Sequence, residues 1–386
     1  MTKRVLGIAV VGIGGAVGST MAAGVELLRQ GLIGTDGLPL SNIEGLIGYS
    51  DIVFAGWDLF PENLASAAAN HEVLTVKQYA AVDEALKAIK PWPAIGNPHF
   101  LSLIDGGNKL SQKGHRKTIE RLRSDLAGFK NECESVVVIN LASTEKLMIE
   151  GNEAFNSIES FEKALDDDSS DISPAMLYAY AAIAEGVPYG NFTPSLAADI
   201  PALIQFAESQ NVPIAGKDGK TGQTFMKSVI APALRSRALH VDGWFSTNIL
   251  GNRDGLALSN ADSLASKVKT KSSLLEDILG YDVPDHIVDI RYYRPRGDNK
   301  EAWDNIDIRG FLGQPMQIKI NFLCKDSILA APLAIEIARC LDLARRRGEK
   351  GIQEQLSVFF KHPMARSTKP EQAFHKQEDI LLTWLS

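Results

Sequence analysis

Three lysines lie within five positions of the segment SKVKTKSS, residues 266–273. If this segment is helical, Lys267 and Lys271 share one face, where like charges repel each other by roughly 0.3 kcal/mol. Lys269 lies between them in the chain and is expected to point to solvent. A phosphate or an oxyanion held between the two ammonium groups would offset the repulsion. The alternative is a solvated surface run, because lysine side chains usually lie in water.

A second group of cations and hydroxyls stands near the start of a predicted helix. KDGKTGQT follows the strand-like run NVPIAG and offers Lys217, Lys220, Thr221 and Thr224. The spacing differs from GxxxxGK[ST], so we do not predict a Walker phosphate loop. A helix N-terminus with nearby lysines can nevertheless bind a phosphate.

A glycine-rich turn near the start of the chain predicts a dinucleotide site. The run VLGIAVV is typical of a buried strand, and apolar residues at helical spacing follow GIGGAVG. Gly12, Gly14 and Gly15 lie in the turn, where a pyrophosphate can approach the backbone because no Cβ intrudes. The helix that begins near Ala16 and Val17 would bind it through its free N–H groups and its dipole. The spacing is GxGGxxG, so a glycine-rich turn without a ligand is the alternative.

The second predicted strand, DIVFAGWD, ends in Asp58. A carboxylate at this position of a dinucleotide-binding fold can accept hydrogen bonds from the adenosine ribose. The gap after the glycine turn is about twice the usual ~20 residues, and we interpret GLIGTDGLPLSNIEGLIGYS as an inserted loop. The alternative role for Asp58 is the N-cap of a helix that contains LFPENLA.

Small polar residues follow the β-branched run SVVVIN in the middle of the chain. Ligands of open α/β sheets bind at the carboxyl ends of the strands, so we expect Ala142, Ser143 and Thr144 to line the dinucleotide cleft. The alternative is that Ser143 or Thr144 caps the next helix. Asn191 and Thr193 interrupt two apolar stretches, which is typical of a loop over a ligand.

Composition and charge exclude several classes of protein. At 386 residues, with 45% hydrophobic and 23% charged residues, the chain is long enough for about two globular domains. The net charge of −7 argues against a nucleic-acid partner. The chain has no apolar run of ~20 residues that would predict a membrane span.

The cysteines indicate a reducing compartment. There are three of them and no CxxC pair, a pattern that favours neither a disulfide framework nor a zinc site. The acidic stretch ALDDDSSDISPAM is interpreted as a solvated loop, so we expect no metal site. The apolar run after Lys3-Arg4 is broken by glycines, and we interpret it as a strand and not as a secretory signal. We therefore expect a cytoplasmic protein.

Ten motifs together resemble the inositol-3-phosphate synthase (myo-inositol-1-phosphate synthase) family, and the length is similar to that of its prokaryotic members. They occur in the family's order from residue 12 to residue 364 and read GIGGAVGST, GWD, LASTE, EGVPYGNFTPS, KDGKTGQT, STNILGNRDG, SKVKTKSS, RPRGDNK, CKDSILAAPL and FFKHPM. The resemblance implies an NAD cofactor and the conversion of D-glucose 6-phosphate to 1D-myo-inositol 3-phosphate. The hydride removed from the sugar returns within each turnover.

The resemblance also implies an α/β fold class with two domains. A Rossmann-type, doubly wound NAD-binding domain would comprise residues 1–220 and 328–386. An α+β catalytic and oligomerisation domain with a mostly antiparallel sheet, residues 221–327, would be inserted and would form a homotetramer. The residues support this division, because the chain from about 245 to 325 alternates like a sheet and differs from the βα pattern before it.

The family's functional residues carry over where the motifs match. The resemblance implies that Lys267 moves a proton at C5 and that Lys271 and Lys300 bind an oxyanion or the phosphate. Lys361 would stabilise the enolate and the C1 oxygen. The matching carboxylates, which would orient the lysines and carry protons, are Asp218, Asp254 and Asp326, and the expected substrate contacts are Thr221, Asn252, Asp298 and Lys220. The alternative for the aspartates is a role as surface turn residues.

The implied chemistry explains why lysines are needed. Oxidation at C5 gives a ketone that acidifies C6, and the resulting enolate attacks the C1 aldehyde to close the ring. Oxyanions therefore develop at C5 and then at C1, and each fixed donor aimed at such an oxygen stabilises the transition state by about 3 kcal/mol. A lysine crowded by other cations in a partly dry site loses its proton more easily, so it can also act as a base near neutral pH.

The residues alone leave three alternatives open. The first is an NAD(P)-dependent dehydrogenase of another small substrate, such as a homoserine or semialdehyde enzyme, which would accumulate NADH. The second is a catalytically silent NAD-binding relative that serves as an assembly partner, although such a protein has no need for crowded lysines. The third is a family member that acts on another sugar phosphate.

The chain departs from the family's pattern at four of the motif positions. Asparagine is more usual in the family at the positions of Ala16, Val17 and Ser143, and serine is more usual at the position of Thr221.

Overall fold

The computed structural model describes residues 4–102, 104–146, 151–251, 274–366 and 369–386. Part of the predicted site lies outside these ranges. The predictions made for Asn252, Asp254, Lys267, Lys269 and Lys271 therefore stay predictions from the sequence.

A seven-stranded parallel sheet forms the larger layer of the protein. Its strand order is β11-β6-β5-β4-β1-β2-β3, which is the doubly wound order with the late strand β11 added at one edge. The strands are β1 (Leu6–Val11), β2 (Ile52–Asp58), β3 (Trp92–Pro93), β4 (Ser135–Asn140), β5 (Tyr189–Asn191), β6 (Pro213–Gly216) and β11 (Gly351–Ile352). The Rossmann-type fold predicted from the sequence is thus confirmed.

Helices cover both faces of this sheet because the central strands are buried on both sides. All six residues of β1 are buried, as expected for a strand between two helical layers. The helices are α1 (Ala16–Arg29), α2 (Leu64–His71), α3 (Val76–Lys87), α4 (His115–Lys130), α5 (Ile158–Asp166), α6 (Pro174–Ala184), α7 (Pro201–Ser209), α8 (Gly222–Ser236), α9 (Asp326–Arg346) and α10 (Phe374–Leu385). Helices α1 and α9 pack on one face, and α4 and α6 pack on the other.

The loop between α1 and β2 is anchored on α9 by a buried polar cluster. Arg339 donates from Nε to the carbonyl of Ile47 at 2.8 Å and forms an ion pair with Glu336. Tyr49 donates its hydroxyl to Glu336 at 2.6 Å. These contacts hold the long insertion that separates Asp58 from the glycine turn.

A separate four-stranded mixed sheet has the order β10-β9-β7-β8. Its strands are β7 (His240–Leu250), β8 (Asp285–Tyr292), β9 (Asn299–Arg309) and β10 (Pro315–Lys325). The pairs β7–β9 and β9–β10 are antiparallel and β7–β8 is parallel, which confirms the mostly antiparallel sheet. One face packs Trp244, Ile306 and Ile308 against α8 and the helical segment 274–279.

The strand memberships support the predicted domain division, which remains our proposal. Strands β1 to β6 precede residue 221 and β11 follows residue 328, whereas β7 to β10 lie between these positions. Helix α9 begins at Asp326, directly after β10, and leads the chain back to the first sheet. In the described ranges, no helix has both the length and the hydropathy needed to cross a membrane.

Gly56 permits the close pairing of β1 and β2 and offers a test of this register. Its φ is +156°, and a Cβ there would lie 2.0 Å from the Val10 carbonyl oxygen. We expect Gly56→Ala to lower the free energy of unfolding by about 3 kcal/mol or more, through overlap and backbone strain. Gly24 in α1 is the control, because a Cβ there meets nothing within 4 Å, and Gly24→Ala should stabilise the helix by about 0.5–1 kcal/mol. Urea unfolding monitored by circular dichroism measures the effect. Equal unfolding midpoints for the two variants would contradict the pairing of β1 with β2 described here.

Candidate active site

A cavity lies at the carboxyl ends of the parallel strands, next to the neighbouring strands β1 and β4. From β1 the chain continues to β2 on one side of this pair, and from β4 it continues to β5 on the other side. This is the switch point at which open α/β sheets bind their ligands. Many of the predicted site residues line it, although they come from distant parts of the chain: Gly12, Gly15, Ala16, Val17, Asp58, Ala142, Ser143, Thr144, Thr193, Asp218, Thr221, Lys300, Asp326 and Lys361.

The glycine turn presents backbone to this cavity. Gly12 has a φ of +85°, and a Cβ there would lie 3.2 Å from the backbone of Ala142. Gly15 is the N-cap of α1 with extended backbone, and no side chain caps the helix. The first N–H groups of α1 take no part in intrahelical hydrogen bonds. The turn therefore offers donors and a positive dipole end to an anion such as a pyrophosphate.

Asp58 ties the glycine turn to the end of β2. Its Oδ2 accepts the N–H of Gly14 at 2.8 Å, and its Oδ1 accepts the N–H of Phe60 at 3.0 Å. The alternative that Asp58 caps the following helix is wrong, because Asn63 is the N-cap of α2 and accepts from the N–H of Ser66. Gly14, predicted as a cofactor contact, directs its N–H to this carboxylate and lies outside the cavity wall.

Lys361 and Asp218 form a buried ion pair at the cavity. The Nζ–Oδ1 distance is 2.7 Å, and the side chains are 9% and 5% exposed. The backbones of the two segments are hydrogen-bonded to each other, with the N–H of Lys361 donating to the Asp218 carbonyl at 2.7 Å and the N–H of Lys217 donating to His362 at 2.7 Å. Two segments far apart in sequence are thereby joined beneath the cavity.

Lys300 stands beside the N-terminus of α8. Its Nζ lies 3.2 Å from Oδ1 of Asp326, and the hydroxyl of Thr221 donates to the same oxygen at 3.3 Å. Gly222 has a φ of +54°, and a Cβ there would lie 3.5 Å from the Lys300 ammonium. No side chain caps α8, so an ammonium group and a helix dipole act on the same small volume. This arrangement suits a phosphate or an oxyanion.

Besides Gly14, three of the predicted contact residues that the structure describes do not line the cavity. Asp298 accepts the hydroxyl of Ser327 at 2.8 Å and its N–H at 3.2 Å, and thereby holds the start of α9. Asn191 is buried and accepts the N–H of Thr193 at 3.1 Å. The Lys220 ammonium donates to Gln377 in α10. In the structure these side chains support the walls of the site.

Several polar residues of the cavity wall were not predicted from the sequence, among them Asn140 and Glu145. Asn140, at the end of β4, is buried and accepts the N–H of Ala142 at 3.1 Å. Glu145 accepts the N–H of Ala175 at 2.9 Å, and burial raises the pKa of its carboxyl to about 7. An asparagine that ends a β-branched run was a usable signal for Asn140. The sequence carries no comparable signal for Glu145, because the burial of its carboxyl comes from α6.

The comparisons with known proteins agree with this arrangement. The family model described as Myo-inositol-1-phosphate synthase, an NAD-binding family, matches residues 34–386. Inositol-3-phosphate synthase 1 of Bacteroides thetaiotaomicron is 45% identical, and the match covers 93% of this chain and 89% of that protein. Inositol-3-phosphate synthase of Spirodela polyrhiza is 31% identical, and the match covers 93% of this chain and 78% of that protein.

Two crystal structures are similar over nearly the whole chain. Inositol-3-phosphate synthase from Caenorhabditis elegans superposes with a TM-score of 0.91 at 26% identity, covering 100% of this chain and 86% of that one. A myo-inositol-1-phosphate synthase-related protein from Thermotoga maritima gives a TM-score of 0.84 at 25% identity, covering 99% of this chain and 98% of that one.

The contacts of Asp58 lead to a test of the glycine turn. Asp58→Ala leaves the buried N–H of Gly14 without its acceptor and frees the turn to move, so we expect NAD to bind at least tenfold more weakly. Asp58→Asn keeps one oxygen acceptor and should lose less. Calorimetric titration with NAD measures the affinity of both variants. Unchanged affinity in Asp58→Ala would show that the turn does not need this carboxylate.

Proposed function

The chain belongs to the myo-inositol-1-phosphate synthase family, and on this premise we propose that the cavity holds a sugar phosphate beside the nicotinamide of NAD. The activity is that of an inositol-3-phosphate synthase, which converts D-glucose 6-phosphate to 1D-myo-inositol 3-phosphate with NAD as cofactor. One observation carries the placement of the substrate. Lys300 and Lys361, from different parts of the chain, line the same cavity as the glycine turn.

The residues of the turn fit a dinucleotide. The uncapped N-terminus of α1 would bind the pyrophosphate, and Asp58 lies where the adenosine ribose is expected. Ala142, Ser143 and Thr144 would contact the other half of the cofactor from the end of β4. When bound, NAD supplies a hydride acceptor and later returns the hydride.

We assign the phosphate of the substrate to the N-terminus of α8. The nearby Lys300 ammonium and the hydroxyl of Thr221 add charge and a hydrogen bond to the dipole of this helix. Asp326 orients both groups through one carboxylate oxygen. The phosphate would thereby fix the sugar chain so that its carbon atoms extend towards Lys361.

Lys361 is assigned to the oxygen atoms that become anionic. A buried ammonium that is held by Asp218 needs no reorganisation when negative charge develops on a neighbouring oxygen, which is the condition for strong transition-state stabilisation. Asp218 orients the lysine and can exchange a proton with it. The roles inferred for Lys267, Lys271, Asn252 and Asp254 belong to the same proposal and rest on the family resemblance.

We also propose a homotetramer in the cytoplasm. The face of the second sheet that does not pack on α8 exposes apolar side chains, among them Ile287 at 48%, Trp303 at 37% and Leu323 at 61%. Apolar groups of this size on one sheet face are typical of a protein–protein interface. The three cysteines form no disulfide, which supports a reducing compartment.

The activity is tested by incubating the protein with glucose 6-phosphate and NAD and identifying the product. We expect inositol 3-phosphate without net NADH, whereas a simple dehydrogenase would accumulate NADH.

Lys361→Met should lower kcat/KM by 100-fold or more, about the loss found when one oxyanion donor is removed, and should change NAD affinity less than about threefold. The exposed Lys117 on α4 gives the control, Lys117→Met. A Lys361→Met enzyme with control activity would refute the assigned role.

The tetramer is tested through the exposed sheet face. We expect Trp303→Glu combined with Leu323→Glu to reduce the assembly to dimers or monomers, because two carboxylates would be buried without partners. Size-exclusion chromatography with light scattering measures the mass. Val76, 86% exposed at the start of α3, serves as the control in Val76→Glu. A double variant that keeps the mass of the control would place the interface elsewhere.

A further inference from the structure

Lys220 is a buried amine between the loop after β6 and the C-terminal helix. Its side chain is 3% exposed, and its backbone N–H donates to the carbonyl of Phe359 at 2.8 Å. The Nζ atom donates to Oε1 of Gln377 in α10 and lies 6.0 Å from the ring centroid of Phe374. The amine is thus enclosed by one amide oxygen and apolar surface.

No described carboxylate is paired with Lys220. In its own loop, Asp218 is paired with Lys361 at 2.7 Å. In the C-terminal segment, Glu371 is paired with Lys376 at 3.2 Å. The first turn of α8 has no acidic residue. Lys217 pairs with Asp199. The other charged residues of α10, His375, Glu378 and Asp379, are exposed to solvent.

Burial without a counter-charge disfavours the ammonium form. Desolvation lowers the pKa of Lys220 to about 7, so most of the amine is neutral at pH 8. Lys220 directly precedes Thr221, the N-cap of α8. The proposed phosphate site at that helix therefore begins one residue away.

We propose that the phosphate of the bound substrate supplies the missing counter-charge and that Lys220 takes up one proton from solvent when the sugar phosphate binds. The inference rests on the proposed function, because it requires a dianionic phosphate at the N-terminus of α8. The proton forms an N–H bond on Nζ, and no other bond changes. Lys220 does not touch the cavity and acts as a positioning charge behind its wall.

The direction of the pH dependence follows from linkage. The substrate-free amine has its pKa near 7, and a neighbouring dianion raises it in the complex. Binding therefore takes up a proton above pH 7, and affinity falls as the pH rises, by at most tenfold per pH unit. Below about pH 6 the amine is already protonated in the free protein, so uptake disappears there.

Calorimetry measures the proton directly. The NADH-bound protein is titrated with glucitol 6-phosphate, which has no carbonyl group to reduce and meets no hydride acceptor, so no reaction follows binding. Its phosphate has a second pKa of about 6 and is a dianion at pH 8. The binding heat at pH 8 is compared in two buffers of different ionisation enthalpy. We expect uptake of about 0.5–1 proton per site at pH 8. At pH 5.5 the uptake should be absent and a net release should replace it, because much of the free phosphate is then a monoanion that must lose its proton to bind as a dianion.

Variants of the two buried lysines identify the group that titrates. Lys220→Met should abolish the uptake. Lys220→Arg should also abolish it while keeping the positive charge, since guanidinium stays protonated throughout. Lys227 is the matched control, because it is 1% exposed, lies on α8 beside His286 at 2.6 Å, and has its pKa lowered to about 8 by burial. Lys227→Met should retain the uptake.

The outcomes separate this inference from the proposed function. Binding of glucitol 6-phosphate without proton uptake would overturn the role of Lys220 and leave the sugar phosphate site in place. Proton uptake that persists in Lys220→Arg, or that is lost in Lys227→Met, would likewise overturn the role of Lys220 and leave the sugar phosphate site in place. If glucitol 6-phosphate does not bind and glucose 6-phosphate gives no inositol phosphate, both the inference and the proposed function fail.

Discussion

Backbone hydrogen bonds between the loop after β6 and the segment after β11 hold the Lys361 ammonium 2.7 Å from the Asp218 carboxylate. The rest of the site depends on this pairing. A lysine ammonium is strongly hydrated, so it keeps its charge in a partly dry cavity only where a fixed carboxylate offsets the loss of water. The Rossmann-type sheet provides one segment and the C-terminal part of the chain provides the other, which explains why β11 returns to the first sheet.

The second sheet contributes to the same cavity through its connections. Lys300 lies near the start of β9, and Asp326 follows β10 directly at the start of α9. Their contact therefore fixes one end of β9 relative to the helix that packs on the first sheet. Thr221 joins the same carboxylate from α8. A small set of charged contacts thus couples the substrate site to the junction of the two sheets, and the proposed proton uptake at Lys220 would act on the same junction.

Pattern and resemblance together predicted much of the fold. The strand–turn–helix beginning with β1, the end of β2 at Asp58 and the β-branched strand β4 follow from local periodicity, because apolar spacing reports directly which side of an element is buried. The sheet-like alternation after residue 245 appears as β7 to β10. The alternative that Asp58 caps a helix is wrong. From the sequence, a carboxylate at a strand end suits a cap and a turn equally well, and only the position of the Gly14 N–H distinguishes them.

By itself the sequence determined which residue types are available: a glycine turn, lysines in motifs far apart, and carboxylates near them. Its order of motifs also indicated the family. Only the tertiary structure decided which of these groups meet. Lys300, Lys361 and Asp218 line one cavity, whereas Lys220, which looked equally suited to the substrate, turns towards Gln377. The physical reason is that charge and burial depend on contacts between segments remote in the chain, and the spacing of residues along the chain carries no information about them.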